Sequence, residues 1–485
     1  MTVQQAPPGR VDLHVSLEGR RDLCGQLYRQ VRVAIVDGRL EPGQALPSTR
    51  ELAQRLALSR NTVAAAYERL VAEGFLAPRA GAGTYVSAEI RSRERARPQP
   101  VRSPLRPLPL WAAIADPPDT ATMEPEFDFS AGVPDIRRFP FATWRGLLAA
   151  QLRPSAVHAG AHIDPAGDPG LRAAIARHLG VSRGIHVGPE DVLITSGSHQ
   201  AFDLVARVLL EPGAVVAVED PGNPPPQRAF AALGARVVGV PVDDGGLVVE
   251  AIPDQTRLVC VRPSHQFPLG VRMSPERRLA LLAWAERADG VIVEDDHASE
   301  FRYAGRPLEP LHGLDENGRV VYVSSLSMLL LPTLRLGVVV APPPLHAALR
   351  RAKRVADWHT AAPLQAAAAQ FIDRGMLARH VRRMRRVYGQ RHHLLTTGLE
   401  RHFADLLAPI KSAAGLHVAA LLREAHTLDD MKLAERARAA GVAVQALSTF
   451  AVTAPPRPGL LLGFGAIPTD RVEEGLRWLR RCLDG

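Results

Sequence analysis

LPSTRELAQRLALSRNTVAAAYERLVAEGFL, residues 46–76, holds two short amphipathic segments joined by a tight turn. Pro47 and Ser48 open the first, and Ser48 with Glu51 three positions on makes a capping box. Leu52, Ala53 and Leu56 share one face of that helix. After the turn ALS, Ser59 can cap a second helix, RNTVAAAYERLVAEG, whose core stripe is Val63, Tyr67 and Leu70 and whose end is Gly74. Upstream, LYRQVRVAIVDGRL (27–40) reads as a further amphipathic helix. Downstream, FLAPRAGAGTYVS (75–87) reads as a hairpin with Gly81 and Gly83 at a tip that can approach a partner closely. A helix that follows a tight turn and opens with SRNT suits the major groove of duplex DNA. Arg60, Asn61 and Thr62 occupy its first turn, where the helix dipole is positive. Thr84 stands on the hairpin beside Gly83.

Charge supports this reading. Residues 1–106 carry 17 arginines against 10 acidic side chains, while the other 379 residues carry 42 basic and 40 acidic ones. The positive excess sits on the N-terminal head, as in a polyanion-binding module. The plainer alternative is a three-helix packing unit with a solvated basic surface. The segments LPSTRELA, LSRNTVAAAYERLVAEGFL and GAGTYV also resemble, in register, the GntR-type winged helix-turn-helix. That resemblance implies that Arg50, Ser59, Arg60 and Thr62 contact DNA, with Gly83 at the wing. Ala64 stands where some members carry a further arginine.

A chain of 485 residues is too long for one core. We divide it into a winged helix domain (1–87), an Arg/Pro-rich linker (88–125), a large α/β domain (126–377) and a small α+β subdomain (378–485). The linker stretch AEIRSRERARPQPVRSPLRPLPLW has neither helical nor strand period. Beyond it, DVLITS (191–196), AVVAVED (214–220), LVCVRP (258–263), VIVED (291–295), VVYVSS (320–325) and LGVVVA (336–341) read as strands. Helical patterns such as HQAFDLVARVLL and PERRLALLAWAERA lie between several of them. Continuous apolar strands joined by helices indicate a mostly parallel sheet covered on both faces. No apolar run reaches the roughly eighteen residues of a membrane span, and the N-terminus has no signal-peptide core. Cys24, Cys260 and Cys482 are far apart, which indicates a reducing cytoplasm, with neither a disulfide framework nor a metal site.

In ITSGSHQAF a strand ends in a turn that opens a helix, leaving free amides at Gly197, Ser198 and His199 as a phosphate seat. Asp295 ends a strand, where open α/β sheets bind ligands. The motifs FDFSAGVPD, DPAGDPGLRAAIARHL, VEDPGNP, PSHQFPLG, VEDDHASEFRY and SLSMLLLPTLRLG resemble fold type I aminotransferases. Joined to a GntR head, they are similar to the MocR/GabR-like subfamily of bacterial regulators. The resemblance implies pyridoxal phosphate as family cofactor, with Asp295 on its ring nitrogen and Ser325, Ser327 and Arg335 completing the phosphate clamp.

The departures from the family pattern carry as much information. Met328 stands where the family has its Schiff-base lysine, and the chain has lysines only at 353, 411 and 432. His297 replaces a tyrosine that bonds the cofactor's ring oxygen, and Asn223 replaces the aromatic residue against the ring. Leu269 and His162 replace a threonine and a tyrosine. These changes read as drift away from the cofactor around one pocket. A thioether cannot form an imine, so no catalytic residue is assigned and the aminotransferase-like domain is expected to be inactive. Non-covalent binding of a vitamin B6 compound, a different effector, or no ligand all stay open. The expected partners are a double-stranded operator, a second copy in a head-to-tail homodimer and a small effector, without a membrane. The expected place is the bacterial cytoplasm, at the nucleoid. The competing readings are a pyridoxal-dependent enzyme with a DNA-binding head and a ligand-free DNA-binding scaffold.

Overall fold

A computed structural model describes residues 15–17, 19, 22–79, 83–88, 106, 108–114, 125–154, 162–304, 309–423, 428–453, 455 and 457–484. Most of the expected linker, and Gly81 at the expected hairpin tip, lie outside the described residues. The chain forms two compact units, residues 1–106 and 107–485.

In the head, α1 (Leu23–Val36), α2 (Thr49–Arg55) and α3 (Arg60–Ala72) precede a hairpin of β1 (Leu76–Arg79) and β2 (Gly83–Val86). Helix α1 starts four residues before the sequence pattern suggested. The apolar spacing marks its buried face, whereas its start is set by Asp22, whose side chain accepts from the Gly25 amide. The other two caps fall where the pattern put them. Ser48 accepts from the Glu51 amide at 3.2 Å and Ser59 from the Thr62 amide at 3.1 Å. Leu27, Val31, Leu52, Val63, Leu70, Leu76 and Val86 are all but fully buried in one core. The Tyr67 hydroxyl donates to the Pro47 carbonyl at 3.0 Å, fixing α3 against the entry to α2. The residues ahead of α2 also pair with the wing, through Leu46 N–H to the Thr84 carbonyl and Val86 N–H to the Gln44 carbonyl.

In the body, β3 (Val192–Thr195) leads into α4 (Ser198–Leu209). The strands β4 (Val215–Asp220), β5 (Arg236–Asp243), β6 (Gly246–Leu247), β7 (Thr256–Val261), β8 (Val291–Asp296), β9 (Val320–Ser325) and β10 (Gly337–Val340) follow. They form one eight-stranded sheet in the order β3-β10-β9-β8-β7-β4-β5-β6. The core strands β9, β8, β7, β4 and β5 are parallel, but β10 runs antiparallel to β3 and β9, and β6 antiparallel to β5. The expected mostly parallel sheet therefore has two reversed members. Strand β10 returns directly from β9 through a short connection, which cannot carry a parallel crossover. The central strands are buried along their whole length, because helices cover both faces.

The long helix α5 (Met376–His402) precedes β11 (Leu407–Pro409), β12 (His417–Leu422), β13 (Gln445–Ala446) and β14 (Gly459–Gly463). These strands form an antiparallel sheet ordered β11-β12-β14-β13. Strand β8 shows how the pleat sorts charge. Neighbouring side chains point to opposite faces, so Asp296 meets Arg183 at 2.7 Å and the Tyr322 hydroxyl at 2.7 Å, while Asp295 bonds His297 and Asn223, which line a cavity. No helix among the described residues is long and apolar enough to cross a membrane. No cluster of three or more metal-ligating side chains occurs among them either.

Truncating Leu70 to alanine is expected to cost about 2–5 kcal/mol of head stability. Ser59→Ala, which removes only a cap, should cost about 1 kcal/mol. Hydrogen exchange of the α3 amides in the intact chain measures both, and equal losses would contradict this ranking.

Candidate ligand cavity and nucleic-acid interface

The head's exposed face begins at the N-terminus of α3. Arg60 and Asn61 are exposed and Thr62 is half-buried. The Ser59 hydroxyl lies 2.8 Å from that of Thr62 and caps the helix, so Ser59 is engaged in holding the first turn. Arg50 is exposed on the first turn of α2. Neither Arg50 nor Arg60 has an ion pair among the described residues. Gly83 opens β2 with φ +110°, a conformation that a side chain would strain, and Thr84 follows it. The arrangement offers a helix N-terminus flanked by two uncommitted guanidinium groups, which is chemistry for a phosphate backbone and base edges.

The body's cavity measures about 330 Å³ and opens where β8 and β9 end and α4 begins. Of the nine ligand positions expected from sequence, Ser198, His199, Asn223, His297, Ser325, Ser327, Met328 and Arg335 line it. Asp295 stands directly behind, bonded to two of them. One end is an anion seat. Gly197 (φ +83°) starts α4, and Arg335 passes so close that a Cβ on Gly197 would lie 2.6 Å from its guanidinium. Arg335 donates to the Ser196 carbonyl at 3.2 Å. Ser325 donates to Ser327 at 2.9 Å. Burial, then the Arg335 charge, holds the pKa of His199 below its ordinary value.

At the other end the Asp295 carboxylate is fully engaged. His297 bonds one oxygen through Nδ1, while its Nε2 lies 3.2 Å from the Ser198 hydroxyl. Asn223 donates to the other oxygen at 3.3 Å. Arg262 Nε is also 3.3 Å from that oxygen, an ion pair without hydrogen-bond geometry. Burial opposes the charge on Asp295, but His297 and Arg262, with the hydrogen bonds from His297 and Asn223, hold its pKa below the ordinary range. Sequence reasoning missed Arg262, His265, Phe267 and His417, which line the same end. Arg262 follows β7, beside β8 in the parallel sheet, and charged residues after parallel strands are the available signal. His417 starts β12 in the other sheet, and no local pattern links it to this cavity.

Two departures placed at the pocket lie elsewhere in the chain. Leu269 is buried in a separate apolar cluster with Leu447 and Phe450, below the turn rather than on the cavity wall. His162 packs its ring 4.5 Å from Trp358 and faces His359 at 3.4 Å. The changes that touch the cavity are therefore Met328, His297 and Asn223.

A pyridoxal group held as an imine does not fit this wall. Its phosphate end would fit α4 and Arg335, but Met328 offers no amine, and both Asp295 oxygens already have partners within the chain. Lys353 is no substitute. It is fully buried outside the cavity lining, and its Nζ donates to Asp357 at 2.5 and 2.7 Å and to Thr360 at 3.2 Å.

A winged helix with an exposed recognition-helix N-terminus, in one chain with an aminotransferase-like fold, defines a regulator built on an enzyme scaffold. Comparison with known proteins agrees. Residues 23–86 match the bacterial regulatory proteins of the gntR family, and residues 149–467 match aminotransferase class I and II. The probable rhizopine catabolism regulatory protein MocR of Rhizobium meliloti is 37% identical over 94% of this chain and 93% of its own. The transcriptional regulator TauR of Rhodobacter capsulatus is 35% identical over 96% and 97%. The pyridoxine biosynthesis regulator PdxR of Corynebacterium glutamicum is 33% identical over 94% and 93%. Among solved structures, a kynurenine aminotransferase from Pyrococcus horikoshii covers 75% of this chain with 91% of its own, at 30% identity and a TM-score of 0.69. The chain belongs to the MocR-type family of helix-turn-helix transcriptional regulators with an aminotransferase-like domain.

Burial also raises the pKa of Glu219, at the end of β4, to about 8, against the opposing pull of Arg262. The folded chain then keeps a proton that the unfolded chain releases near pH 4, so stability falls as pH rises from that range to about 8. Glu219→Gln is expected to flatten this fall in melting temperature between about pH 5 and pH 8. The flattening will be partial, because Glu294, pushed up by burial to about 7, adds to the same slope. An unaltered pH profile would count against a protonated Glu219.

Proposed function

We propose that this protein is a transcription regulator whose head reads duplex DNA and whose body senses a small ligand held without a covalent bond. The division of labour follows the expected boundaries: head to residue 87, connector to 125, large domain to 377, small subdomain to 485. Arg60 and Asn61 would meet base edges and phosphates from the first turn of α3, with Arg50, Thr62, Gly81, Gly83 and Thr84 as flanking contacts and Ser59 holding the turn. The observation that carries this reading is a capped, exposed recognition-helix N-terminus in a chain of this family. The body would join two copies head to tail, so that two heads meet two half-sites. A ligand that prefers one arrangement of the pair would shift its population. In a bacterial cell such a protein works in the cytoplasm, at the nucleoid.

Catalysis is not part of this proposal. Transamination needs an amine as nucleophile and as base for proton transfer, and neither Met328 nor the buried Lys353 supplies one. The cavity is better explained as a sensor, because its anion seat is intact while its covalent anchor is gone.

Arg60→Ala is expected to weaken binding to an operator selected from random duplexes by roughly 1–3 kcal/mol and to relax sequence preference. Wild-type affinity should fall steeply with salt, and both are read by fluorescence anisotropy. Salt-insensitive binding, unchanged in the variant, would refute the DNA reading. Treatment with pyridoxal phosphate and borohydride should leave position 328 unlabelled in the native chain, whereas Met328→Lys gives a labelled peptide there by mass spectrometry. A label in the native cavity would restore the enzyme alternative.

A further inference from the structure

Three polar atoms of the cavity wall are buried without a hydrogen-bond partner: Arg262 Nε, His265 Nε2 and His417 Nε2. His265 and His417 are only 4% and 5% exposed. Their rings lie 4.7 Å apart, centre to centre, and His417 meets Phe267 edge-on at 5.1 Å. The Arg262 guanidinium lies 5.7 Å from the Phe267 ring centre. This polar end differs in kind from the anion seat made by the first turn of α4, Ser327 and Arg335.

The chemistry of the polar end follows from its charges. Asp295 is already balanced by Arg262 and His297, so a ligand bringing a positive charge finds no free carboxylate and meets the guanidinium. Both imidazoles are neutral. Burial, then the nearby Arg262 charge, pushes His417 to about 3, and burial with His417 and Arg262 pushes His265 well below its ordinary value. Neither Nε2 has a hydrogen-bond partner among the described residues, whereas His265 Nδ1 lies 3.5 Å from the Ser412 hydroxyl. A neutral imidazole carries one N–H and one lone pair, so an unpartnered Nε2 can take a hydroxyl as donor or as acceptor. Two buried, unpartnered imidazole nitrogens beside a fixed cation match hydroxyl groups, which donate or accept, better than an ammonium.

Resting on the sensing role above, we propose that the ligand is a hydroxylated phosphomonoester. Its phosphate sits on the first turn of α4 and Arg335, and its hydroxyls bond Nε2 of His265 and His417. Arg262 is the specificity residue that turns away ligands with a cationic ring nitrogen, the pyridoxal group included. A cavity of about 330 Å³ is large enough for a small sugar phosphate.

Calorimetric titration of the full chain tests this with ribose 5-phosphate, inorganic phosphate, ribose and pyridoxal phosphate. Ribose 5-phosphate should bind at least about tenfold more tightly than phosphate, a difference of about 1.4 kcal/mol. Ribose should not bind, and pyridoxal phosphate should bind no better than phosphate. Arg335→Ala should abolish phosphate and ribose 5-phosphate binding alike. His417→Phe should lose the advantage of the sugar yet still bind phosphate, which also shows that it folds. Arg262→Thr should improve pyridoxal phosphate binding at least about tenfold by removing the cation beside Asp295. Tighter binding of pyridoxal phosphate than of ribose 5-phosphate by the native chain overturns the proposal. So does no preference for the sugar phosphate, or one that survives His417→Phe. Duplex affinity measured alongside separates the two levels. Binding as expected without any change in duplex affinity defeats only the sensing role, whereas a duplex response to pyridoxal phosphate alone defeats only this assignment.

Discussion

The carboxylate of Asp295 sits near the C-terminal end of a strand buried on both faces, and a charge there must be answered from within the protein or by a ligand. Here the answer comes from within: His297 two residues on, Asn223 from the loop after β4, and Arg262 after β7. These partners arrive on three different chain segments, and the order of the parallel strands is what brings them to one point. The same charge arrangement sets the character of the surroundings. It helps keep His265 and His417 neutral, it leaves Arg262 Nε without a hydrogen-bond partner, and it removes the carboxylate from the reach of a cationic ring.

A methionine at position 328 and the internal neutralisation of Asp295 fit together physically. A buried carboxylate that no longer meets a charged cofactor is costly unless another cation replaces it. Met328 and Arg262 line one cavity, and the proposed sensing role would rest there on shape and hydrogen bonds in place of a covalent bond. The anion seat survives because it is built largely of backbone: a helix N-terminus and a glycine turn backed by Arg335.

Much of the head was legible in the linear sequence because its signals are local. A cap and the amide it accepts lie three residues apart, and a helical stripe repeats within one turn, so Ser48, Ser59 and the Val63–Tyr67–Leu70 face could be read directly. The start of α1 could not be read from its apolar spacing, since its cap, Asp22, adopts a left-handed backbone that periodicity does not reveal. In the body the central strands were legible from continuous apolar runs. The reversal of β10 was not, because a fully buried strand has the same composition in either direction.

By itself the sequence determined the winged helix, the alternating body and the absence of a lysine at position 328, since each depends on residue identity or on spacing within a few turns. Only the tertiary structure decided which departures touch the cavity. It set Leu269 and His162 apart from Met328, His297 and Asn223, and it brought in Arg262, His265, Phe267 and His417 from β7, its following loop and the second sheet. The physical reason is that a pocket is a long-range object. Its charges are paired, and its polar atoms left open, by segments tens to more than a hundred residues apart, which no periodicity along the chain records.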